Sequence, residues 1–285
     1  MMNQHIDLTK PEEKPDVPII ELKDAKVIFT TRAGSGLFHK NRITAVNDVN
    51  LKLMPGKTIG IVGESGCGKS TTANVMCGLQ SLTSGKVLFK GQDVTHRTAK
   101  ERMEIGRVVS AVFQDPATAL NARMSVIDQL IDPLAVHHLG SKAERDKRAH
   151  ELIRMVGLPF SVLGALPGQL SGGQRQRVAI ARALSLNPDA IIADEPTSAL
   201  DVSVRAQILN LLSDLKRQLG LSMVFISHDI QTIRYISDDV IVMNHGTIVE
   251  RGTTDQVMRH PTNDYTKTLL DAAPSLLHPT AEECA

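Results

Sequence analysis

Hydrophobic and polar residues alternate with a period of two in three stretches near the start of the chain. Residues 19–30 and 44–53 are rich in β-branched side chains, and residues 85–94 form a shorter alternating stretch that begins at a glycine. Such alternation is typical of strands that bury one face. The three stretches therefore predict an antiparallel β lobe.

A second pattern, in which short apolar strands alternate with helices, predicts a largely parallel sheet. Residues 58–62 form a compact apolar run that leads into a glycine-rich loop, and residues 69–79 then have the character of a helix. Strands that alternate with helices form parallel sheets that helices cover on both faces. The rest of this α/β core is predicted from helix 175–184, strand 190–194, helix 203–219, strand 222–227 and strand 239–243.

A long segment without strand signals separates the two parts of the predicted core. It follows a strand at residues 108–113, and it contains a charged amphipathic stretch at residues 141–156. We predict an inserted helical lobe over about residues 115–175. The predicted domain organisation is a disordered lead at 1–17, one elaborated domain at 18–272 and a weakly ordered tail at 273–285.

Composition and charge narrow the possible classes of protein. The chain has 285 residues, 42% of them hydrophobic, which is enough for one substantial core and a smaller inserted lobe. Lys and Arg number 32 against 31 Asp and Glu, so no net positive field favours nucleic acid as a partner. No apolar stretch approaches the roughly 20 residues that span a bilayer. Cys67, Cys77 and Cys284 lack metal-ligand spacing, which predicts reduced thiols.

The loop after the 58–62 strand matches the phosphate-binding pattern GxxxxGK[ST]. Its glycines let amide N–H groups face phosphate, Lys69 would neutralise the β and γ phosphates, and the Ser70 hydroxyl would ligate magnesium. Thr71 is expected to add a phosphate contact. An ordinary glycine turn is the alternative, which the strand-to-helix context disfavours. The loop consists of Gly63, Glu64, Ser65, Gly66, Cys67, Gly68, Lys69 and Ser70, and position 67 requires only a small side chain.

Two adjacent acids follow the apolar strand at residues 190–194. Asp194 ends the strand and Glu195 comes next, at the edge where an open α/β sheet binds its ligands. Asp194 is expected to hold magnesium through water, and Glu195 to orient and polarise an attacking water. The alternative is that both acids only cap and solubilise the strand end.

A second glycine-rich segment, LSGGQ at residues 170–174, lies between the phosphate loop and the acidic pair. It precedes its own helix and so offers another set of backbone donors for phosphate. With this order of motifs the chain resembles the ATP-binding subunit of ABC transporters over roughly residues 18–272. The resemblance implies a P-loop NTPase (RecA-like) core that binds ATP and Mg²⁺. It also implies that LSGGQ covers ATP held by another subunit, through Ser171, Gly172, Gly173 and Gln174.

The same resemblance assigns three further polar residues. His228 matches the switch histidine that senses the γ phosphate. Gln114 matches the glutamine whose amide contacts magnesium and water, while the backbone after it hinges the helical lobe. Asp201 is the key acid of the loop 198–201, which crosses the dimer interface.

An aromatic residue is also expected near the nucleotide. Phe29 lies at about the position where relatives stack an aromatic ring on adenine. Phe38 is a nearby alternative, and a plain core or loop role for Phe29 is another.

Residues 113–124 narrow the resemblance to a subfamily. They are similar to the FQDP…LN.RM segment of oligopeptide, dipeptide and nickel import ATPases, through Phe113, Gln114, Asp115, Pro116, Leu120, Asn121, Arg123 and Met124. The resemblance implies a peripheral ATPase at the cytoplasmic face of the inner membrane, which powers import of peptides or similar small solutes. The implied partners are two permease subunits received by the helical lobe, a second ATPase subunit, identical or related, and an extracytoplasmic solute-binding protein.

Two other assignments stay open at this point. A soluble ABC-type ATPase associated with a phosphonate-degrading enzyme complex resembles the same motifs. A DNA-maintenance ABC ATPase would need a long insertion between the phosphate loop and LSGGQ, and the interval here is too short. Some peptide-import relatives carry an iron–sulfur cluster in a cysteine-rich extension, but Cys284 alone in that region predicts no cluster.

Overall fold

Two sheets, one antiparallel and one mainly parallel, organise the chain. A computed structural model describes residues 17–32, 40–96, 98–115 and 119–272. The antiparallel sheet has the strand order β2-β1-β4-β5, and the second sheet has the order β10-β9-β3-β8-β7-β6. The strands are β1 Ile20–Arg32, β2 Lys40–Leu53, β3 Thr58–Val62, β4 Ser84–Phe89, β5 Gln92–Asp93, β6 Val109–Val112, β7 Ala190–Asp194, β8 Ser222–Ile226, β9 Asp239–Asn244 and β10 Thr247–Thr253.

The antiparallel sheet confirms the predicted β lobe. Strand β1 pairs with both β2 and β4, and its residues Ile20, Leu22 and Val27 are fully buried. The stretch predicted as one strand at 85–94 is a hairpin, because Lys90 and Gly91 adopt positive φ angles of 47° and 80° between β4 and β5. This sheet packs over the first helix of the core.

The strands of the parallel sheet are buried on both faces, which explains why hydrophobic and polar residues do not alternate along them. Every residue of β3 and β8 is buried, since helices cover both faces of the sheet there. Strands β9, β3, β8, β7 and β6 pair in parallel, whereas β10 pairs antiparallel to β9 at the edge. The carboxyl ends of β3, β7 and β8 consequently lie at one edge, where the predicted motifs follow each strand.

The described helices include two, Val126–Val136 and Lys142–Met155, that lie entirely within the predicted helical lobe. An apolar cluster continues from this lobe into the parallel sheet, and it joins Leu130, Leu152 and Val178 to Phe225. Within the described residues, no helix combines the length and apolar character needed to cross a membrane. The helices are α1 Lys69–Met76, α2 Ala99–Val108, α3 Val126–Val136, α4 Lys142–Met155, α5 Gly172–Ala183, α6 Val202–Leu219, α7 Ile230–Ile236, α8 Thr254–Arg259 and α9 Asp264–Asp271, with 3₁₀ turns at Phe160–Gly164 and Pro167–Gln169.

Two helix boundaries differ from the predicted ones, because a glycine ends one helix and a serine caps the start of the other. Helix α1 ends at Met76 rather than at residue 79, because Gly78 adopts a φ of 77°. Helix α5 begins at Gly172 rather than at Arg175, because Ser171 caps it. Helices α2, α7, α8 and α9 and strand β10 were not predicted, and they are short or largely exposed elements.

Strand β3 and helix α7 meet so closely that only glycine fits at position 60. A Cβ atom there would lie 2.4 Å from Ser237 Oγ and 2.5 Å from Ile233 Cγ2. Helix α7 begins two residues after His228. The packing of β3 against α7 thus helps to place the loop that carries this histidine.

We predict that Gly60→Ala lowers the free energy of unfolding by about 1–3 kcal/mol, because it overpacks a filled contact. Urea unfolding monitored by circular dichroism measures the change. Gly164→Ala is the matched control, since a Cβ there has no neighbour within 4 Å. Equal destabilisation by both substitutions would contradict the assigned contact.

Candidate functional site: a phosphate-loop cavity and a separate glycine-rich surface

The phosphate loop borders a cavity at the carboxyl edge of the parallel sheet. The loop connects β3 to α1, and the cavity has a volume of about 350 Å³. Residues from three later loops and Ala45 of β2 complete its wall. The lining residues are Ala45, Ser65, Gly66, Gly68, Lys69, Ser70, Thr71, Gln114, Glu195 and His228.

Two glycines let the loop lie against neighbouring strands. Gly63 has a φ of 149°, and a Cβ atom on it would lie 2.2 Å from the Met243 carbonyl oxygen. Gly68 has a φ of 106°, and its Cβ would lie 2.3 Å from the Ala45 carbonyl oxygen. The Gly246 amide also donates a 2.9 Å hydrogen bond to the Cys67 carbonyl. The loop is therefore held from both sides by β2 and by the β9–β10 turn.

The start of helix α1 presents unsatisfied amide donors to the cavity. Gly68 occupies the N-cap position, so no side chain caps the helix. The first-turn N–H groups of a helix have no acceptor within it, and together with the helix dipole they favour an anion. This end of α1 is thus suited to phosphate.

Lys69 carries a buried positive charge without a carboxylate ion pair among the described residues. Its side chain is 6% exposed. The Nζ atom donates to the carbonyl oxygens of Gly63 at 2.7 Å and Glu64 at 2.8 Å. Because a buried charge is costly unless it is compensated, this ammonium favours an anion in the cavity beside it.

Asp194 lies beside Ser70 and supplies a candidate cation-binding oxygen. Burial raises the pKa of Asp194 and the Glu195 charge raises it further, while the Ser70 hydroxyl bond and Lys69 act in the opposite direction. Its Oδ1 atom is buried and has no hydrogen-bond partner among the residues that the structure describes. A carboxylate and a hydroxyl are oxygen ligands of the kind that Mg²⁺ prefers, so the Asp194 and Ser70 pair fits such an ion.

Glu195 and His228 are held together above the loop. Nδ1 of His228 lies 3.3 Å from Oε2 of Glu195. Glu195 adopts a φ of 48°, a left-handed conformation that is uncommon outside glycine. Its amide donates to the Ile226 carbonyl at 2.9 Å, and its carbonyl accepts from the Ser198 amide and hydroxyl at 3.2 and 3.1 Å. These bonds compensate the backbone strain and fix the direction of the Glu195 side chain.

An ion pair that the sequence did not predict braces the histidine loop. Arg205 of α6 contacts Asp229 with an Nη1 to Oδ2 distance of 3.3 Å. Asp229 follows His228 and also accepts from the Gln231 amide and the Thr232 hydroxyl. The helix that begins after Asp201 is thereby linked to the loop that carries His228.

The LSGGQ segment forms a second cavity of about 300 Å³. Ser171 Oγ accepts from the Gln174 amide at 3.2 Å, and Gln174 Oε1 accepts from the Ser171 amide at 2.9 Å. This capping box leaves the first-turn amides of Gly172 and Gly173 without acceptors in the helix. The cavity is lined by Ser171, Gly172, Gly173, Gln174, Arg177, Ala199, Leu200, Asp201, Val204 and Gln207.

Close packing explains why the LSGGQ segment has a glycine at position 173. A Cβ atom on Gly173 would lie 2.8 Å from Cγ1 of Val204, so a larger residue would separate α5 from α6. Asp201 stands at the start of α6, and its side chain makes no capping hydrogen bond. Asp201 and the LSGGQ amides consequently face the same cavity.

The two cavities have no lining residue in common. Glu195, His228 and Gln114 join the phosphate loop, whereas Asp201 joins the LSGGQ segment. A different set of the predicted site residues therefore lines each cavity.

Some predicted binding residues lie outside the cavity wall. Gly63, Glu64 and Cys67 belong to the loop but do not line the cavity. Cys67 is buried beneath the loop. Phe29 is 39% exposed on β1 and is not among the described lining residues, so its stacking on adenine stays a prediction. Phe38 lies outside the described residues.

Residues 46–198 match the family described as ABC transporter, a span that runs from the antiparallel sheet to the acidic pair. The chain belongs to this family. Among its relatives is the oligopeptide transport ATP-binding protein OppF of Lactococcus lactis, which is 42% identical over 90% of this chain and 81% of that protein. The dipeptide transport ATP-binding protein DppF of Escherichia coli is 43% identical over 91% of this chain and 77% of its own.

Solved structures of ABC cassettes share the fold. The ATP-binding cassette MJ0796, in a dimeric post-hydrolysis state bound to ADP and Pi, is 34% identical with a TM-score of 0.72 over 82% of this chain and 98% of its own. CbiO1 from Clostridium perfringens, part of the transporter complex cbiONQ, is 27% identical with the same TM-score over 86% of this chain and 92% of its own. As a member of the ABC family, the chain is an ATPase.

We predict that Lys69→Ala weakens MgATP binding by about 10- to 100-fold, because hydrogen bonds to charged groups contribute about 1.5–3 kcal/mol. Isothermal titration with MgATP measures the affinity, and phosphate release measures turnover. The exposed Lys147 offers the matched control, Lys147→Ala, which should bind as the unaltered chain does. Unchanged affinity and turnover in Lys69→Ala would refute the role of this lysine.

Proposed function

We propose that this chain is the ATP-hydrolysing subunit of an importer of peptides or similar small solutes. The observation that carries the proposal is the similarity to oligopeptide and dipeptide transport ATP-binding proteins over about nine-tenths of the chain. The arrangement of the phosphate loop, acidic pair and LSGGQ surface fits the same role. Transport would be driven by closing and opening of a pair of such subunits.

The phosphate-loop residues would bind and orient ATP for attack by water on the γ phosphate. Lys69, Thr71 and the loop amides would hold the phosphates, and the Glu195 carboxylate would accept a proton from the attacking water. His228, which contacts Glu195, would sense the γ phosphate. Gln114 lies on the same wall and would contact the water.

A magnesium ion fits the oxygen atoms beside the loop. Ser70, Asp194 and Gln114 are the residues that would hold it, with Asp194 contacting it through water. When bound, Mg²⁺ would neutralise phosphate charge during the transfer. The unpartnered Asp194 Oδ1 supports this assignment.

The second half of each ATP site would come from a partner ATPase subunit. Ser171, Gly172, Gly173 and Gln174 would cover ATP on the facing chain, and Asp201 would cross the same interface. The free amides at the start of α5 would direct a partial positive charge of about half an elementary unit at the facing γ phosphate. The partner is either a second copy or a related chain.

The helical lobe would receive the permease subunits at the cytoplasmic face of the inner membrane. Residues 119–124 emerge from the Gln114 hinge region, and Asn121 and Arg123 are exposed there. A solute-binding protein on the opposite side of the membrane would deliver the solute. The phosphonate-associated ATPase remains the second candidate, but the relatives reported above support import.

We predict that Glu195→Gln binds ATP and hydrolyses it at least about 10²-fold more slowly, because the amide keeps the size of the acid and loses its basicity. The stalled chain should accumulate as a closed ATP-bound dimer. Light scattering after size exclusion, on the chain alone or with its partner ATPase, measures association. Full turnover in Glu195→Gln would contradict the role of Glu195.

A second substitution tests the composite site within this slow variant. Ser171→Arg should weaken ATP-dependent association, since the side chain would fill the phosphate-facing surface. Ser171→Ala is its control, because it removes the helix cap, a loss of about 1 kcal/mol, without adding bulk. Association that is indifferent to Ser171→Arg would exclude this surface from the clamp.

We predict that Arg123→Glu reduces solute transport more than basal ATPase activity, because the exposed residue lies on the proposed permease surface and outside the cavity. Uptake into vesicles with the reconstituted complex, measured beside ATP hydrolysis, separates the two effects. Arg259→Glu on α8, which packs on β9 and β10, is the matched charge reversal. Equal loss of both activities in Arg123→Glu would place its defect in the fold or the site.

A further inference from the structure

A tyrosine near the end of the described chain contacts the phosphate loop. The amide of Glu64 donates a 3.1 Å hydrogen bond to the hydroxyl oxygen of Tyr265 in helix α9. The two residues are 201 positions apart in the sequence. Tyr265 is not among the residues that line the phosphate-loop cavity, so an effect of Tyr265 on a bound nucleotide would have to pass through the loop.

The bond restrains the peptide unit on which Lys69 rests. The Glu64 N–H and the Gly63 carbonyl belong to one planar peptide group. Lys69 Nζ donates to that carbonyl at 2.7 Å while Tyr265 accepts from the N–H of the same group. Rotation of this peptide would break both contacts, so the tyrosine hydroxyl maintains the carbonyl orientation that positions the lysine.

A network of hydrogen bonds holds Tyr265 in place for this contact. The Glu250 carboxylate of β10 accepts from the Thr262 amide at 2.7 Å, the Thr262 hydroxyl at 2.8 Å and the Asn263 amide at 3.2 Å. Asn263 in turn caps α9 by accepting from the Tyr265 amide at 2.9 Å. The position of Tyr265 is thus set by the edge strand of the sheet.

The surroundings of Tyr265 agree with a directed hydroxyl contact. Burial raises the pKa of Tyr265, so the neutral phenol is retained throughout the physiological range. The ring packs against the main apolar cluster. Phenylalanine in its place would keep this packing and lose only the hydroxyl group, with its acceptor oxygen.

We infer that Tyr265 is a positioning residue of the ATP site, which orients the Gly63–Glu64 peptide and through it the Lys69 ammonium. The inference rests on the phosphate-loop site and is independent of the transported solute. A purely structural tyrosine would affect stability and leave nucleotide binding unchanged. A positioning tyrosine would affect binding in a protein of undiminished stability.

Tyr265→Phe should raise KM for MgATP and the Kd for MgADP by about 2- to 10-fold, as expected for loss of one hydrogen bond. The catalytic rate constant should change less than about 2-fold, because the lysine contact exists in the ground state as well as in the transition state. Steady-state hydrolysis and calorimetry on the full chain measure these values. Thermal unfolding of the same samples reports stability.

The chain offers a matched control in its other tyrosine. Tyr235 is exposed and donates its hydroxyl hydrogen bond to Asn210 at 2.6 Å, so Tyr235→Phe should leave KM and Kd unchanged. The sequence contains two tyrosines and no tryptophan, and Tyr235→Phe therefore leaves Tyr265 as the single strong fluorophore. MgADP should change its emission along the same saturation curve that calorimetry gives.

Glu250→Gln provides a second test that does not alter the tyrosine. It should raise KM in the unaltered background and have no additional effect with Tyr265→Phe, because both act through one contact. Additive effects would overturn the proposed link between β10 and the loop. Unchanged affinity in Tyr265→Phe, with Lys69→Ala impaired, would overturn the inference alone. Unchanged affinity in both would overturn the nucleotide site itself.

Discussion

The buried ammonium of Lys69 is the interaction on which the site depends. Two backbone carbonyls hold it at 2.7 and 2.8 Å, and neither carries the negative charge that would balance it. The loop can adopt this shape because Gly63 and Gly68 approach β9 and β2 where a Cβ atom has no room. A charge held in this way is best compensated by an anionic ligand, and the free amides of α1 favour the same ligand.

The acidic edge of the sheet complements this cationic loop. Asp194 ends strand β7 and Glu195 follows it, but the two acids have different surroundings, since Asp194 lies beside Ser70 and Glu195 contacts His228. The strained backbone of Glu195 is compensated by bonds to β8 and to Ser198. Residue 198 begins the loop that leads to the LSGGQ cavity, so hydrogen bonds join the Glu195 backbone to the start of that loop.

Sequence patterns predicted best those strands whose residues are buried along their whole length. Strands β3, β7 and β8 are almost wholly buried, so a continuous apolar run was enough to locate them. Strand β10 was not predicted, because it is a half-exposed edge strand whose hydrophobic and polar residues show little periodicity. Helices α7 and α8 have seven and six residues, too few for a helical period to emerge.

The phosphate loop, the acidic pair and the LSGGQ segment could be located from the sequence, because each depends on local backbone requirements within a few residues. The distant groups that hold these motifs became known only from the folded chain. One example is Ala45, which lines the phosphate-loop cavity from β2. Others are the ion pair between Arg205 and Asp229 and the hydrogen bond from the Glu64 amide to Tyr265, 201 positions away. Such contacts arise from the packing of sheets and helices, and no local spacing encodes them. The same packing places the phosphate loop and the LSGGQ segment at two separate cavities.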